Sequence, residues 1–123
     1  MPYTEVVFYQ DDDGSVPLLD WLRSLPAKVQ DKCTVRLERL EDGGHELRRP
    51  EADYLRDDIY ELRVRFQNRN YRMLYFFYEN KAAVVSHGLI KEKAVPPREI
   101  EKAIESKRKL MTDPVRHIFR PEE

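Results

Sequence analysis

The sequence predicts one α+β domain with the element order β-α-α-β-β-β-α, built on a mainly antiparallel four-stranded sheet with helices packed on one face. Two observations carry this prediction. Residues 60–66 alternate between apolar and polar side chains, which is typical of a strand with one buried face. Two further β-rich runs, 71–78 and 82–90, follow after the short turns 67–70 and 79–81. Because connections this short join only antiparallel strands, the three runs predict a meander.

The first half of the chain predicts one strand and two helices. Residues 3–9 are aromatic and β-branched, as strands usually are. A short helix begins near Pro17 and stops at Pro26, because proline is favoured in a first helical turn and ends a preceding one. The second helix carries an apolar stripe at helical spacing, formed by Val29, Cys33, Leu37 and Leu40. Residues 45–58 are polar and predict a loop, whereas Pro96 and Pro97 open a last helix.

Length and composition are those of an ordinary soluble domain. The 123 residues are 41% hydrophobic and 37% charged, and no apolar run approaches the roughly 20 residues of a membrane span. We expect a domain at residues 1–111 and a flexible tail at 112–123. The N-terminus lacks the basic and apolar regions of a signal peptide. Cys33 is the single cysteine, which excludes an internal disulfide and a cysteine-rich zinc site, so a reducing cytoplasm fits best.

The net charge of −1 conceals an asymmetry between the two halves of the chain. Residues 1–58 carry 8 Lys/Arg and 14 Asp/Glu, whereas residues 59–123 carry 14 and 9. A basic half of this kind indicates a polyanion or an acidic protein as a partner, although a dipolar surface with no role explains it as well. The near-neutral total disfavours broad, non-specific nucleic-acid binding.

Three segments in the second half resemble a known family. They read DIYELR at 58–63, YRMLYF at 71–76 and HGLIK at 87–91, and a Pro-Pro-x-Glu-Ile helix start follows at 96–100. In order and spacing they resemble the phage-derived, HigB-like branch of the RelE/ParE toxin superfamily. The resemblance extends over residues 3–110 in element order.

The resemblance implies the RelE-like fold and a function. Members of the family are toxins of bacterial type II toxin–antitoxin pairs. A HigB-like member is expected to be an endoribonuclease that cuts mRNA, within the ribosome, without a cofactor. Its expected protein partner is a small helix-turn-helix antitoxin.

The expected site is a group of cations on the meander. Arg63 and Arg65 share one strand face because alternate residues point the same way, and Arg72 lies on the next strand. Forked guanidinium groups suit phosphate oxygens, so these three arginines are expected to hold the scissile phosphate and to stabilise its developing charge. Lys91 is a second phosphate clamp or an acid/base. No paired carboxylates or histidines have metal-ligand spacing, which favours a mechanism without a metal.

The remaining candidates have two interpretations each. His87 titrates in the useful range and is a candidate proton shuttle, although a packed histidine on a half-buried strand is an equally good interpretation. Tyr71 is a candidate for base stacking, but a tyrosine in a central strand is more often part of the core. Lys93 and Arg69 extend the basic group and are expected to contact substrate.

Two alternatives to a nuclease remain open. The protein could be a non-enzymatic toxin that inhibits DNA gyrase, as ParE-like relatives do. Glu61 and Glu92 beside the basic group favour this alternative, as does the absence of a tyrosine early in the last helix. The other alternative is an inactive homologue that only binds an antitoxin.

Overall fold

A computed structural model describes residues 4–121, which form a six-stranded sheet between helices. The helices are α1 (Pro17–Arg23), α2 (Ala27–Gly43), α3 (Pro97–Thr112) and α4 (Pro114–His117). The strands are β1 (Glu5–Tyr9), β2 (Ala52–Arg56), β3 (Ile59–Phe66), β4 (Arg69–Tyr78), β5 (Ala82–Ile90) and β6 (Ile118–Phe119). Tyr3, which the sequence assigns to the first strand, lies outside the described residues.

The strand order is β2-β3-β4-β5-β1-β6, and the predicted meander of β3, β4 and β5 is confirmed. Its first turn, Gln67-Asn68, has positive φ at both residues, which is the two-residue hairpin geometry that matches the strand twist. β1 lies parallel to β5, and every other pairing is antiparallel. The α+β class is therefore confirmed, but the predicted number of four strands is wrong. Of the two extra strands, β2 lies in the predicted loop 45–58 and carries the charged residues Asp53 and Arg56, as suits a sheet edge.

The helices cover both faces of the sheet, so the prediction that they pack on one face is wrong. On one side, Met73 and Tyr75 of β4 pack with side chains of α1 and α2. On the other side, Leu74 and Phe76 pack with side chains of α3. The physical reason is the nearly continuous apolar sequence of β4, whose alternate residues must be buried on both faces.

The sequence predicts a flexible tail from residue 112, whereas the structure has α4 and β6 in this segment. His117 is buried, and its Nδ1 lies 2.7 Å from the carbonyl oxygen of Gln10. Phe119 pairs with Phe8 of β1, which places β6 at the sheet edge. Within the predicted tail, β6 thus pairs with β1 and His117 contacts the residue after β1, and residues 122–123 lie outside the described range.

A bulge in β5 decides which side chains lie beneath α3. Leu74 is paired with His87 and Tyr75 with Val85, so Ser86 is the extra residue. Ser86 and His87 both face α3, where they bond to Ser106 and Glu99. Among the described residues, no helix is both long and apolar enough to cross a membrane.

Candidate functional site

A cleft of about 360 Å³ lies beside the last residues of β3. The pairing of β2 with β3 ends near Leu62, with one further bond from the Arg63 N–H to the Glu51 carbonyl. Beyond that point β3 has no β2 partner, and a cleft replaces it. We call it the arginine cleft, and it is lined by Arg36, Pro50, Arg63, Val64, Arg65, Asn70, Tyr71, Arg72 and Glu92. The structure therefore brings together the three arginines that the sequence predicts for the site.

Arg63 and Arg65 are the accessible cations of β3 in this cleft. The Arg63 side chain is 36% exposed, and its Nε lies 4.0 Å from Glu61 Oε2. Arg65 is exposed, and within residues 4–121 its guanidinium donates only to side-chain amides, 3.2 Å from Asn70 Oδ1 and 3.4 Å from Asn68 Oδ1. Neutral amides leave the guanidinium charge uncompensated, so an anion in the cleft can replace them.

Arg36 enters the cleft from α2 and was not singled out from the sequence. Its Nη1 lies 3.8 Å from Glu51 Oε2, and the same carboxylate also binds Arg39 at 2.7 Å. One carboxylate is thus shared by two arginines, which leaves net positive charge at this wall. In the sequence, only its position next to Leu37, at the margin of the apolar stripe of α2, distinguishes Arg36. A long side chain at such a margin can extend past the apolar residues towards solvent.

Arg72 lines the cleft, but a carboxylate beneath the surface neutralises it. Its Nη1 donates to Glu61 Oε1 at 2.8 Å, and 8% and 4% of the two side chains are exposed. Its Nε donates to the Lys91 carbonyl at 3.2 Å. Arg72 therefore ties β3 to the segment after β5. Its predicted role in stabilising phosphate charge stays a prediction.

The segment after β5 gives the cleft one anionic wall and two cations outside it. Glu92 lines the cleft and accepts bonds from the backbone N–H of Asn70 at 3.3 Å and from its Nδ2 at 3.2 Å. Lys91 and Lys93 are exposed, and neither lines the cleft, although the Lys91 N–H donates to the Asn70 carbonyl at 3.1 Å. The sequence indicated Glu92 only as an unfavourable charge, because its contact with Asn70 depends on the fold.

Arg69 and Tyr71 lie on either side of Asn70 at the start of β4. Arg69 is exposed. Tyr71 lines the cleft and is buried in the core, with its ring centroid 6.4 Å from that of Trp21. Within residues 4–121, no carboxylate oxygen lies within 4.0 Å of the charged group of Arg65, Arg69, Lys91 or Lys93. Among the described residues these four cations thus have no ion-pair partner; Arg65 lines the cleft, and the other three are next in sequence to Asn70 or Glu92, which line it.

His87 is not brought to the arginine cleft. It is buried beneath α3, with Nδ1 2.8 Å from Ser86 Oγ and Nε2 2.9 Å from Glu99 Oε1. Burial lowers the pKa of His87, and the charge of Lys102 lowers it further, whereas Glu99 opposes both. The ring lines a separate cavity of about 180 Å³. This placement corresponds to the packed histidine that was the alternative interpretation.

In the described residues, no group of three or more His, Cys, Asp or Glu side chains is placed to hold a metal ion.

The match to a family model covers most of the chain. No curated protein matches the chain. The model of the family described as phage-derived protein Gp49-like (DUF891) matches residues 20–108, which run from α1 into α3 and include every residue of the arginine cleft. The chain therefore belongs to the family of phage-derived Gp49-like proteins.

Proposed function

We propose that the protein is the toxin of a type II toxin–antitoxin pair and that it cleaves mRNA, with the scissile phosphate in the arginine cleft. One observation carries the proposal: Arg36, Arg63 and Arg65 come from α2 and β3 and line a single cleft. Membership of a phage-derived family is compatible with such a toxin. Its proposed partners are mRNA in the ribosome and a helix-turn-helix antitoxin.

The arginines act on the charge of the reacting phosphate. Guanidinium groups bind phosphate oxygens in pairs of parallel hydrogen bonds, and Arg63 and Arg65 project on the same side of β3. Charge increases on these oxygens when the 2′-oxygen attacks, so fixed donors bind the transition state more tightly than the substrate. Glu61 neutralises the charge of Arg72, so the role of Arg72 is to hold the Lys91 carbonyl at the edge of the cleft.

Proton transfer needs one acceptor and one donor near the phosphate. Glu92 is the carboxylate among the lining residues of the cleft, and it takes the proton of the 2′-hydroxyl. The 2′-oxygen then bonds to phosphorus, and the bond to the 5′-oxygen breaks. Lys91 precedes Glu92 in the sequence and lies outside the lining of the cleft, and it gives its proton to the departing 5′-oxygen. The products are a 2′,3′-cyclic phosphate and a 5′-hydroxyl end.

The cations without an ion-pair partner favour a bound RNA strand that continues beyond the cleft. Arg69 is the first residue of β4, whereas Lys91 and Lys93 follow β5. Each can neutralise one backbone phosphate of the RNA, which contributes affinity without sequence preference.

A second candidate is a non-nuclease toxin that binds DNA gyrase. Two observations favour it: Glu61 neutralises Arg72, and His87 lies outside the arginine cleft. The cleft is then a charged docking surface and performs no chemistry.

The test compares three proteins expressed in bacteria. The wild type is expected to arrest growth and to create new mRNA 5′ ends, and the double variant Arg63→Ala/Arg65→Ala is expected to do neither. Arg23→Ala is the matched control, because this exposed arginine of α1 lies 3.9 Å from Asp20 and outside the cleft. Cleavage by the double variant at the wild-type level removes the nuclease proposal.

A supercoiling assay run in parallel separates the two candidates. Growth arrest with inhibited gyrase and intact mRNA supports the second candidate. Normal growth with the wild type leaves an inactive homologue that only binds an antitoxin.

A further inference from the structure

A second cavity continues from the arginine cleft along α2. Its volume is about 240 Å³, and we call it the α2 groove, lined by Asp31, Lys32, Val35, Arg36, Val64 and Arg65. Three of these residues, Arg36, Val64 and Arg65, also line the arginine cleft. An extended ligand can therefore pass from one cavity into the other without leaving the protein surface.

The α2 groove has an apolar surface in an otherwise charged region. Val35 is 56% exposed, so most of its side chain is open to a ligand in the groove. Val64 also lines the groove but is only 4% exposed, whereas the side chain of Val35 offers a surface on which a flat aromatic group can pack. Lys32 stays beside it, because its Nζ lies 5.7 Å from the centroid of the Phe66 ring.

The charges indicate which part of a nucleotide fits in each cavity. Arg36 and Arg65 stand where the two cavities meet and favour a phosphate there. Asp31 and Lys32 line the α2 groove but not the arginine cleft, and the Asp31 carboxylate can accept a hydrogen bond from a base amino group. An apolar surface in a groove that also holds a carboxylate thus suits a base whose phosphate lies at the arginines.

We propose that the α2 groove binds the base of the nucleotide next to the scissile phosphate, so that the site takes at least two nucleotides of single-stranded RNA. The inference rests on the proposed function, since it assumes a phosphate in the arginine cleft. A single strand is required because paired bases are stacked inside a duplex and cannot lie on Val35. Packing on the apolar wall depends on the face of the base, which all four bases share.

The test uses two dinucleotide probes with a 2′-O-methyl group at the linkage, which prevents cleavage. One is abasic at both riboses, so that it offers a phosphate to the arginine cleft and no base to the α2 groove. The other is ApA, which supplies the bases. Affinities measured by NMR titration are expected to differ by about tenfold in favour of ApA, which is the usual effect of one packed base.

Val35→Ser is expected to remove most of that difference and to leave the affinity for the abasic probe unchanged. Val115→Ser is the matched control, because Val115 of α4 is 93% exposed and lines neither cavity. Equal wild-type affinities for the two probes, or a difference that persists in Val35→Ser, overturn the α2 groove as a base site and leave the arginine cleft intact. If neither probe binds, the proposed function fails together with this inference.

Discussion

Breaking the buried ion pair between Glu61 and Arg72 is expected to destabilise the fold strongly. In Arg72→Met, the Glu61 carboxylate stays buried without its closest counter-ion, and removal of one partner of such a pair costs about 3–5 kcal/mol. The bond to the Lys91 carbonyl is lost as well, which adds to the cost, while Arg63 at 4.0 Å compensates part of it. We therefore expect the free energy of unfolding to fall by about 4 kcal/mol.

The double variant Glu61→Leu/Arg72→Met is expected to be close to the wild type. Both charges are then replaced by apolar side chains of similar size, which is often neutral or stabilising. Urea denaturation of the four proteins gives the coupling energy, expected to be about 3 kcal/mol or more. The control is the same cycle at Arg49 and Asp53, whose arginine side chain is 71% exposed, and its coupling energy is expected to be much smaller.

A small effect at the buried pair would refute this reasoning. If Arg72→Met loses no more stability than Arg49→Met, the pair is not isolated from water. Arg72 could then exchange Glu61 for a phosphate. This result would support the catalytic role that the sequence predicts for Arg72.

Three further predictions concern single side chains. Burial lowers the pKa of His87, so the unfolded chain binds a proton more readily than the folded protein. The free energy of unfolding is therefore expected to fall as the pH drops below about 6.5. Urea titrations at pH 7.5 and 5.5 measure this dependence, and the substitution His87→Gln should flatten it. An unchanged pH profile in that variant contradicts the assignment. A Cβ atom at Gly88 would lie 2.2 Å from Cε3 of Trp21, so Gly88→Ala should lower the free energy of unfolding by about 1–3 kcal/mol in the same assay. If the free energy of unfolding does not change, α1 can move away from β5 at no cost. Burial raises the pKa of Cys33 to about 11, and iodoacetamide at pH 8 should modify it slowly until urea unfolds the protein, as mass spectrometry can follow; labelling of the native protein at the unfolded rate argues against a buried thiol.

The meander and the common side of Arg63 and Arg65 could be predicted from the sequence. The alternation in residues 60–66 has a period of two, which by itself sets the faces of a strand. The short turns then fix the pairing with β4, where Arg63 lies opposite Arg72. Local pattern and local geometry agree here, and no distant residue can alter the result.

Other parts of the fold depend on contacts that no local pattern contains. β6 has two residues and forms only because β1 offers an edge. A regular β5 would place His87 on the side of Val85, but the bulge at Ser86 turns it beneath α3. The residues around the bulge show no special pattern in the sequence, so the position of His87 could not be foreseen.

The composition of the arginine cleft could be predicted only in part. Arg36 reaches it from α2, at the place where β2 no longer pairs with β3, and Glu92 reaches it from the segment after β5 through its bonds to Asn70. The sequence places Glu61 and Arg72 on adjacent strands, but it does not show that Glu61 is buried and therefore neutralises Arg72. Sequence spacing indicates which cations are near one another, whereas burial determines which of them keep a free charge.

Binding of an uncleavable RNA tests the central claim most directly. A 2′-O-methylated single strand is titrated against the wild type, Arg63→Ala/Arg65→Ala and Arg23→Ala at several salt concentrations. If both arginines hold phosphates, the double variant binds more weakly, and the slope of log affinity against log salt falls by roughly 1.4. The same affinity and slope in the double variant as in Arg23→Ala would contradict a phosphate site in the arginine cleft.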